Sequence, residues 1–254
     1  MGTIIALGGG EIGRPREGGG RYPVETAGID REILARSGRT RPRVLFIPTA
    51  SGDSQGYADV FSRHYGKLGV RVDVLRLLGG GVSRRDIERQ VLGSDVVYVG
   101  GGNTLRMMMA WRRVGLDGIL CRAYKKGIVL SGVSAGAICW FSYGNSDSRK
   151  FSSGSDQLIR VRGLGFINAL NCPHFDGEGG RRKDLPRMMR RTHGMVAIAL
   201  DNCCALEVVD GAYRLIRSRS GAGGYRCLWK AELYHEERIP VRQGYEDISS
   251  LLSL

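Results

Sequence analysis

Five apolar-rich runs divide the first half of the chain, at residues 3–7, 43–47, 71–77, 95–99 and 127–130. Between them lie stretches with helical spacing, at 25–37, 54–68, 83–92, 104–114 and 116–126, with Ser83 placed as an N-cap. The runs suit strands buried on both faces, which is the pattern of a parallel sheet. Parallel strands need crossovers, and the intervening helices supply them. The chain is therefore predicted to be α/β, a three-layer sandwich with a mainly parallel central sheet. Past about residue 145 the pattern shortens to strands at 157–161, 167–171, 196–200, 205–209 and 213–217. One helix, at 183–192, interrupts them. Asp210-Gly211 is a hairpin signal. No repeat or linker breaks the chain, so one domain over 1–254 is expected, with 231–254 as a polar C-terminal extension.

With 254 residues, 42% of them hydrophobic, the chain can bury a full core. No apolar run reaches the roughly 20 residues of a membrane helix. Met1-Gly2-Thr3-Ile4-Ile5 leads straight into a glycine-rich turn, and no signal peptide is expected. The six cysteines show no C-x-x-C spacing, which points to reduced thiols in a cytoplasmic protein and away from a zinc site. The net charge of +13 is spread over many arginines, and no aromatic residues interleave with the clusters at Arg181-Arg182-Lys183 and 187–191. A solvated basic face is expected, with neither a membrane nor a nucleic-acid partner.

The fifth run ends in Gly132-Val133-Ser134-Ala135-Gly136, followed by Ala137-Ile138-Cys139-Trp140-Phe141, which is compatible with a helix. This is G-x-S-x-G in a strand-turn-helix setting. A tight turn there exposes the Ser134 hydroxyl, and a following helix aims free N–H groups at a developing oxyanion. Gly100-Gly101-Gly102-Asn103-Thr104 also ends a strand and opens a helix. Its amides suit a phosphate or an oxyanion, and Asn103 is open between helix cap and substrate contact. Gly8-Gly9-Gly10-Glu11-Ile12-Gly13 matches G-x-G-x-x-G. The residues after it, Arg14-Pro15-Arg16-Glu17-Gly18, do not start a helix, so a strand-end loop near the active face is expected and not a dinucleotide site.

A serine nucleophile needs a base. Of the four histidines, His64 sits in a helical, Arg-flanked surface context, His193 follows a basic helix and His235 lies in the polar tail. His174, in Asn171-Cys172-Pro173-His174-Phe175-Asp176, stands just past an apolar run, where sites collect in α/β sheets. The orienting acid is open between Asp147 and Asp201, with Asp176 and Glu178 as further carboxylates near His174.

Taken together these segments resemble the peptidase E and cyanophycinase group of serine peptidases. The matching residues are Phe46-Ile47-Pro48-Thr49-Ala50-Ser51, Val99-Gly100-Gly101-Gly102-Asn103-Thr104, Gly132 to Ala137, Asn145-Ser146-Asp147-Ser148 and Cys172-Pro173-His174-Phe175. They follow the group's order over roughly residues 1–220. The resemblance implies a fold similar to class I glutamine amidotransferases. It implies Ser134 as nucleophile, His174 as base, and an oxyanion hole from Gly100, Gly101 and the N–H of Ala135. Peptidase E has its acid at the position of Asp147. Some relatives use a Glu in the segment matching Leu200-Asp201-Asn202, where this chain has none, so Asp147 is favoured and Asp201 stays open. Peptidase E cleaves dipeptides beginning with aspartate, and cyanophycinase cleaves an Asp–Arg polymer. A short peptide substrate with an acidic N-terminal residue is therefore expected, with Arg181 and Arg182 as its cationic partners. No cofactor or metal is implied, and a homodimer is left open. The alternatives are a non-catalytic binding or regulatory protein on the same scaffold, and amidotransferase-like chemistry, which uses cysteine where Ser134 stands.

Overall fold

The computed structural model describes residues 2–177, 179–191 and 194–254, so Glu178 and His193 lie outside the described residues. The first half of the chain gives strands β1 (Thr3–Leu7), β2 (Arg43–Ile47), β3 (Arg71–Val74), β4 (Val96–Val99) and β5 (Val129–Val133). Five helices alternate with them: α1 (Ala27–Ala35), α2 (Gln55–Lys67), α3 (Arg84–Leu92), α4 (Thr104–Val114) and α5 (Leu116–Lys125). The strands lie parallel in the order β1-β5-β4-β2-β3. Period-2 alternation sends Ile4 and Ala6 to one side and Ile5 and Leu7 to the other. The first pair joins a core with Ile87, Met107, Trp111 and Ile119 of α3 to α5. The second joins Ile29, Ile33, Phe61 and Tyr65 of α1 and α2. Helices thus cover both faces, which is the three-layer α/β arrangement expected from the alternating runs.

The rest of the chain contributes α6 (Ala135–Ile138), β6 (Phe141–Ser146), α7 (Ser148–Ser153), β7 (Ile159–Arg162), β8 (Ile167–Cys172) and α8 (Gly179–Met189). It continues with β9 (Ala197–Leu200), β10 (Cys204–Val209), β11 (Ala212–Arg217), β12 (Gly224–Lys230), β13 (Leu233–Ile239), β14 (Glu246–Asp247) and α9 (Ile248–Leu252). Strands β10, β11 and β14 extend the central sheet beyond β1 by antiparallel pairing. The hairpin at Asp210-Gly211 has both residues at positive φ, 51° and 86°, as a type I′ turn requires.

A second, six-stranded sheet, β13-β12-β9-β8-β6-β7, was not foreseen. Its Ala169 and Ile198 join the main core, while Leu170, Cys172, Ala197 and Ala199 face Leu185, Met188 and Met189 of α8. The helix-like run after the elbow is short: α6 stops at Ile138, and Phe141 already begins β6. Residues 231–254 include β13, β14 and α9, with Ile239 and Leu251 buried in the main core. Among the described residues no helix is long and apolar enough to cross a membrane.

Candidate active site

Strands β1, β4 and β5 run parallel and adjacent, so their carboxyl ends open on one edge of the sheet. That edge is where α/β sheets place their sites. The glycine loop after β1, Gly100-Gly101-Gly102 after β4 and Ser134 after β5 therefore meet there.

Ser134 has φ 56° and ψ −110°, outside the conformations a side-chain-bearing residue ordinarily adopts. Such a residue stores of order 1–3 kcal/mol and persists only when its surroundings over-determine it. Here the Ser134 N–H donates to the Leu7 carbonyl at 3.1 Å, and its own carbonyl accepts from Ala137 and Ile138, both at 2.9 Å. The flanking glycines are sterically required. A Cβ at Gly132 would lie 2.5 Å from the Gly136 carbonyl oxygen, and one at Gly136 would lie 2.1 Å from that of Val99. The turn is thus held against β1 on one side and β4 on the other. Ala135 opens α6, where the first amides have no intrahelical acceptor.

Ser134 and His174 line the same cleft, of ≈ 550 Å³, together with Glu11, Arg14, Tyr57, Gly101, Asp147 and Phe151. His174 follows β8 and also has positive φ, 52°. Its N–H donates to the Gly8 carbonyl at 3.1 Å. The imidazole lies against Gly9, where a Cβ would come within 2.4 Å of Nδ1. The glycine-rich loop after β1 therefore makes room for a histidine ring, which explains its composition without a nucleotide.

The two expected carboxylates are occupied elsewhere. Asp147 lines the cleft, but its Oδ1 lies 3.5 Å from the guanidinium of Arg181. Asp201 is buried with Oδ2 accepting from the Gly223 N–H at 2.9 Å. Burial raises its carboxyl pKa. The atom 2.7 Å from His174 Nδ1 is Asn202 Oδ1. An amide thus stands where an acid was expected.

The oxyanion donors divide similarly. The Gly100 N–H is committed to the Ile47 carbonyl at 3.1 Å. The Gly101 N–H donates to the Tyr57 hydroxyl at 3.4 Å, and both residues line the cleft. A Cβ on Gly101 would lie 4.0 Å from Ser134 Oγ, so this loop borders the nucleophile directly. Burial pushes the Tyr57 phenol up to about 12, keeping it protonated at neutral pH. Nothing in the Tyr57 sequence context signalled this position.

Asn103 caps α4: its Oδ1 accepts from the Arg106 N–H at 3.0 Å, and its Nδ2 donates to the Ser148 carbonyl at 3.2 Å. Arg181 is buried and donates to the Asn145 carbonyl at 2.7 Å, while Arg182 is exposed, pairs with Glu236 and packs over Phe175 and Tyr225. Neither arginine is among the cleft-lining residues. The arginine that is, Arg14, bonds Glu11 at 2.7 Å and lies in the loop after β1. His64 is buried rather than on the surface, with Nε2 2.6 Å from Asp30 between α1 and α2. His235 is exposed on β13. Among the described residues no group of three or more His, Cys, Asp or Glu side chains is placed to hold a metal ion.

Comparison with known proteins places this geometry in a family context. The model of peptidase family S51 matches residues 18–216. An uncharacterized peptidase, YgaJ, of Bacillus subtilis is 37% identical over 243 residues, covering 95% of this chain and 99% of the relative. Peptidase E of Streptomyces coelicolor is 32% identical over 94 residues, 37% of this chain and 36% of that one. Among solved structures, a peptidase from an acI-B1 Actinobacterium superposes with a TM-score of 0.67 at 18% identity, covering 97% of both chains. A putative peptidase E protein from Listeria monocytogenes gives 0.64 at 17% identity, covering 85% of this chain and 98% of that one. At these identities the two structures speak to the fold.

Proposed function

The chain belongs to peptidase family S51 and is a peptidase, and we propose that Ser134 is its nucleophile and His174 its general base. The observation that carries this reading is the backbone of Ser134. A serine held at φ 56° and ψ −110° at the carboxyl end of a central strand, with a histidine in the same cleft, has its hydroxyl presented rather than buried. In the proposed cycle His174 Nε2 takes the Ser134 proton as Oγ attacks the scissile carbonyl. The amides of Gly101 and Ala135 receive the oxyanion. His174 then protonates the leaving amine, and water resolves the acyl-enzyme by the same route.

The substrate in this proposal is a short peptide, with an acidic N-terminal residue as the preferred case. Arg14 supports it, being the cationic group on the cleft wall, although Glu11 already shares its charge. A free carboxylate on the substrate would compete with Glu11 for the same guanidinium. A cytoplasmic setting, expected from the cysteines, travels with the proposal. A dipeptide-library screen with Asp-X and neutral-X members side by side tests the substrate class. Preferential hydrolysis of Asp-X is expected, and a purely neutral preference would remove the acidic residue from the proposal while leaving the hydrolase in place.

A further inference from the structure

The side chain that meets His174 Nδ1 is a neutral amide, and that amide is itself held by a charged pair. Asn202 Oδ1 lies 2.7 Å from His174 Nδ1. On the other side of the amide, Asn202 Nδ2 donates to Asp176 Oδ1 at 3.0 Å. The Asn202 backbone N–H donates to the same oxygen at 2.8 Å. The other carboxylate oxygen, Asp176 Oδ2, lies 2.5 Å from Arg219, whose guanidinium also donates to the Asn202 carbonyl at 3.3 Å. We infer that Asn202 is the positioning residue for His174, and that Asp176 and Arg219 fix which end of its amide the imidazole meets. The inference rests on the proposed Ser134–His174 chemistry for its catalytic meaning, though not for its geometry.

Donors and acceptors decide the orientation of this amide. An asparagine amide has an acceptor end and a donor end of nearly the same shape, and only its partners decide which points where. An ionised carboxylate accepts and never donates. Asp176 therefore demands the Nδ2 end, which turns Oδ1 toward His174. An acceptor at Nδ1 demands the proton there, so Nε2 carries the lone pair. This is the tautomer that a general base on Ser134 needs. Arg219 holds Asp176 in place by its second oxygen, so the three side chains form a sequence of obligate partners ending at the histidine.

Local packing leaves this amide little alternative. A Cβ on Gly9 would fall 2.0 Å from Asn202 Oδ1, and one on Gly177 would fall 2.5 Å from Nδ2. Glycine at both positions is what lets the amide plane fit between the loop after β1 and the turn after His174. The arrangement also separates two tasks that one carboxylate performs in a Ser-His-Asp triad. Orientation passes through the neutral amide. The negative charge of Asp176 sits one residue further out and is shared with Arg219.

The test combines two readouts on the full chain. Imidazole ¹⁵N shifts of His174 report its tautomer in the resting protein, and the second-order labelling rate of Ser134 by a fluorophosphonate reports its competence as a base. Wild type is expected to show the Nδ1–H tautomer. Asp176→Ala is expected to shift the ring toward a mixture with Nε2–H and to slow labelling about tenfold or more, the size typical of losing an outer-shell partner. Asn202→Ala is expected to slow labelling further, and Arg219→Lys to retain more of the rate than Arg219→Ala. Asp176 and Arg219 are exposed, so their variants keep the core, and melting curves check this. A wild-type tautomer and rate in Asp176→Ala would overturn the inference. If wild type is not labelled at all, the Ser134 proposal fails, and the tautomer shift still decides the role of Asp176.

Discussion

Gly136→Ala tests whether the elbow is held where the chemistry needs it. The added methyl would lie 2.1 Å from the Val99 carbonyl oxygen and 2.7 Å from its carbon, both backbone atoms of the central strand β4. Backbone cannot rotate away as a side chain can. The elbow and β4 must therefore part by at least about 1.3 Å to reach ordinary contact, and a misplacement of ~1 Å already costs roughly 10²-fold in rate. The displacement matters because Val99 is followed by Gly100 and Gly101, so parting these two elements separates the nucleophile from its proposed oxyanion donor. Overpacking of this kind destabilises by about 1–3 kcal/mol. For a chain of this size each kcal/mol lowers Tm by about 2–4 °C. The variant is thus expected to stay folded at 25 °C, melt several degrees lower, and label with fluorophosphonate ~10²-fold more slowly. Gly66→Ala is the control. It lies in α2 with nothing within 4 Å of the added methyl, and gains up to about 1 kcal/mol of helix propensity. A Gly136→Ala protein that labels at the wild-type rate would refute the reasoning.

The remaining expectations concern the histidine, the acids and the buried arginine. His174→Ala should cut the labelling rate by roughly three orders of magnitude or more, as loss of a triad base does; a near-normal rate removes His174 from the mechanism. Arg181→Met should cost roughly 3 kcal/mol in urea titration, because a fully buried guanidinium leaves the Asn145 carbonyl and Asp147 without it; an unchanged midpoint contradicts this. Burial raises the Asp201 carboxyl pKa in the folded state, so its contribution favours folding below the unfolded value of about 3.9 and is lost as pH rises through the folded value. Asp201→Asn, which keeps an acceptor for Gly223, should therefore raise Tm at pH 7, with the gain vanishing near pH 3; a lower Tm at pH 7 would reverse the sign assigned here.

The first half of the fold was legible because each element there carries its own signal. The apolar runs at 3–7 and 43–47 coincide with β1 and β2, since such runs between turn residues leave little freedom. The hairpin at Asp210-Gly211 was legible for a local reason, because that pair favours positive φ. The hairpin joining β12 to β13 turns through Ala231 and Glu232, at φ 48° and 62°, and neither residue announces it. Strand β13 itself reads as polar because six of its seven residues face solvent or its margin, and only Ile239 is buried. A second sheet built from such strands is decided by long-range pairing, which no local pattern records.

The site divides along the same line. Ser134 was readable because its turn needs glycine on both sides within five residues. The glycines at 8–10 were readable as a loop, but their purpose was not, since the imidazole they admit comes from residue 174. The partner of His174 was the hardest to see. Carboxylates attract attention as triad acids, and Asp147 and Asp201 both stand near plausible strand ends, yet each is held by a partner that the sequence does not reveal. Arg14 is not legible as a cleft residue because the loop carrying it has no periodic pattern.

The central claim is that Ser134 is a nucleophile activated by this cleft, and active-site labelling tests it most directly. Intact protein treated with a fluorophosphonate should gain one adduct, mapped by mass spectrometry to the peptide holding Ser134, and Ser134→Ala should gain none. Folded wild-type protein that takes up no label, or a Ser134→Ala variant that is labelled like wild type, would contradict the account.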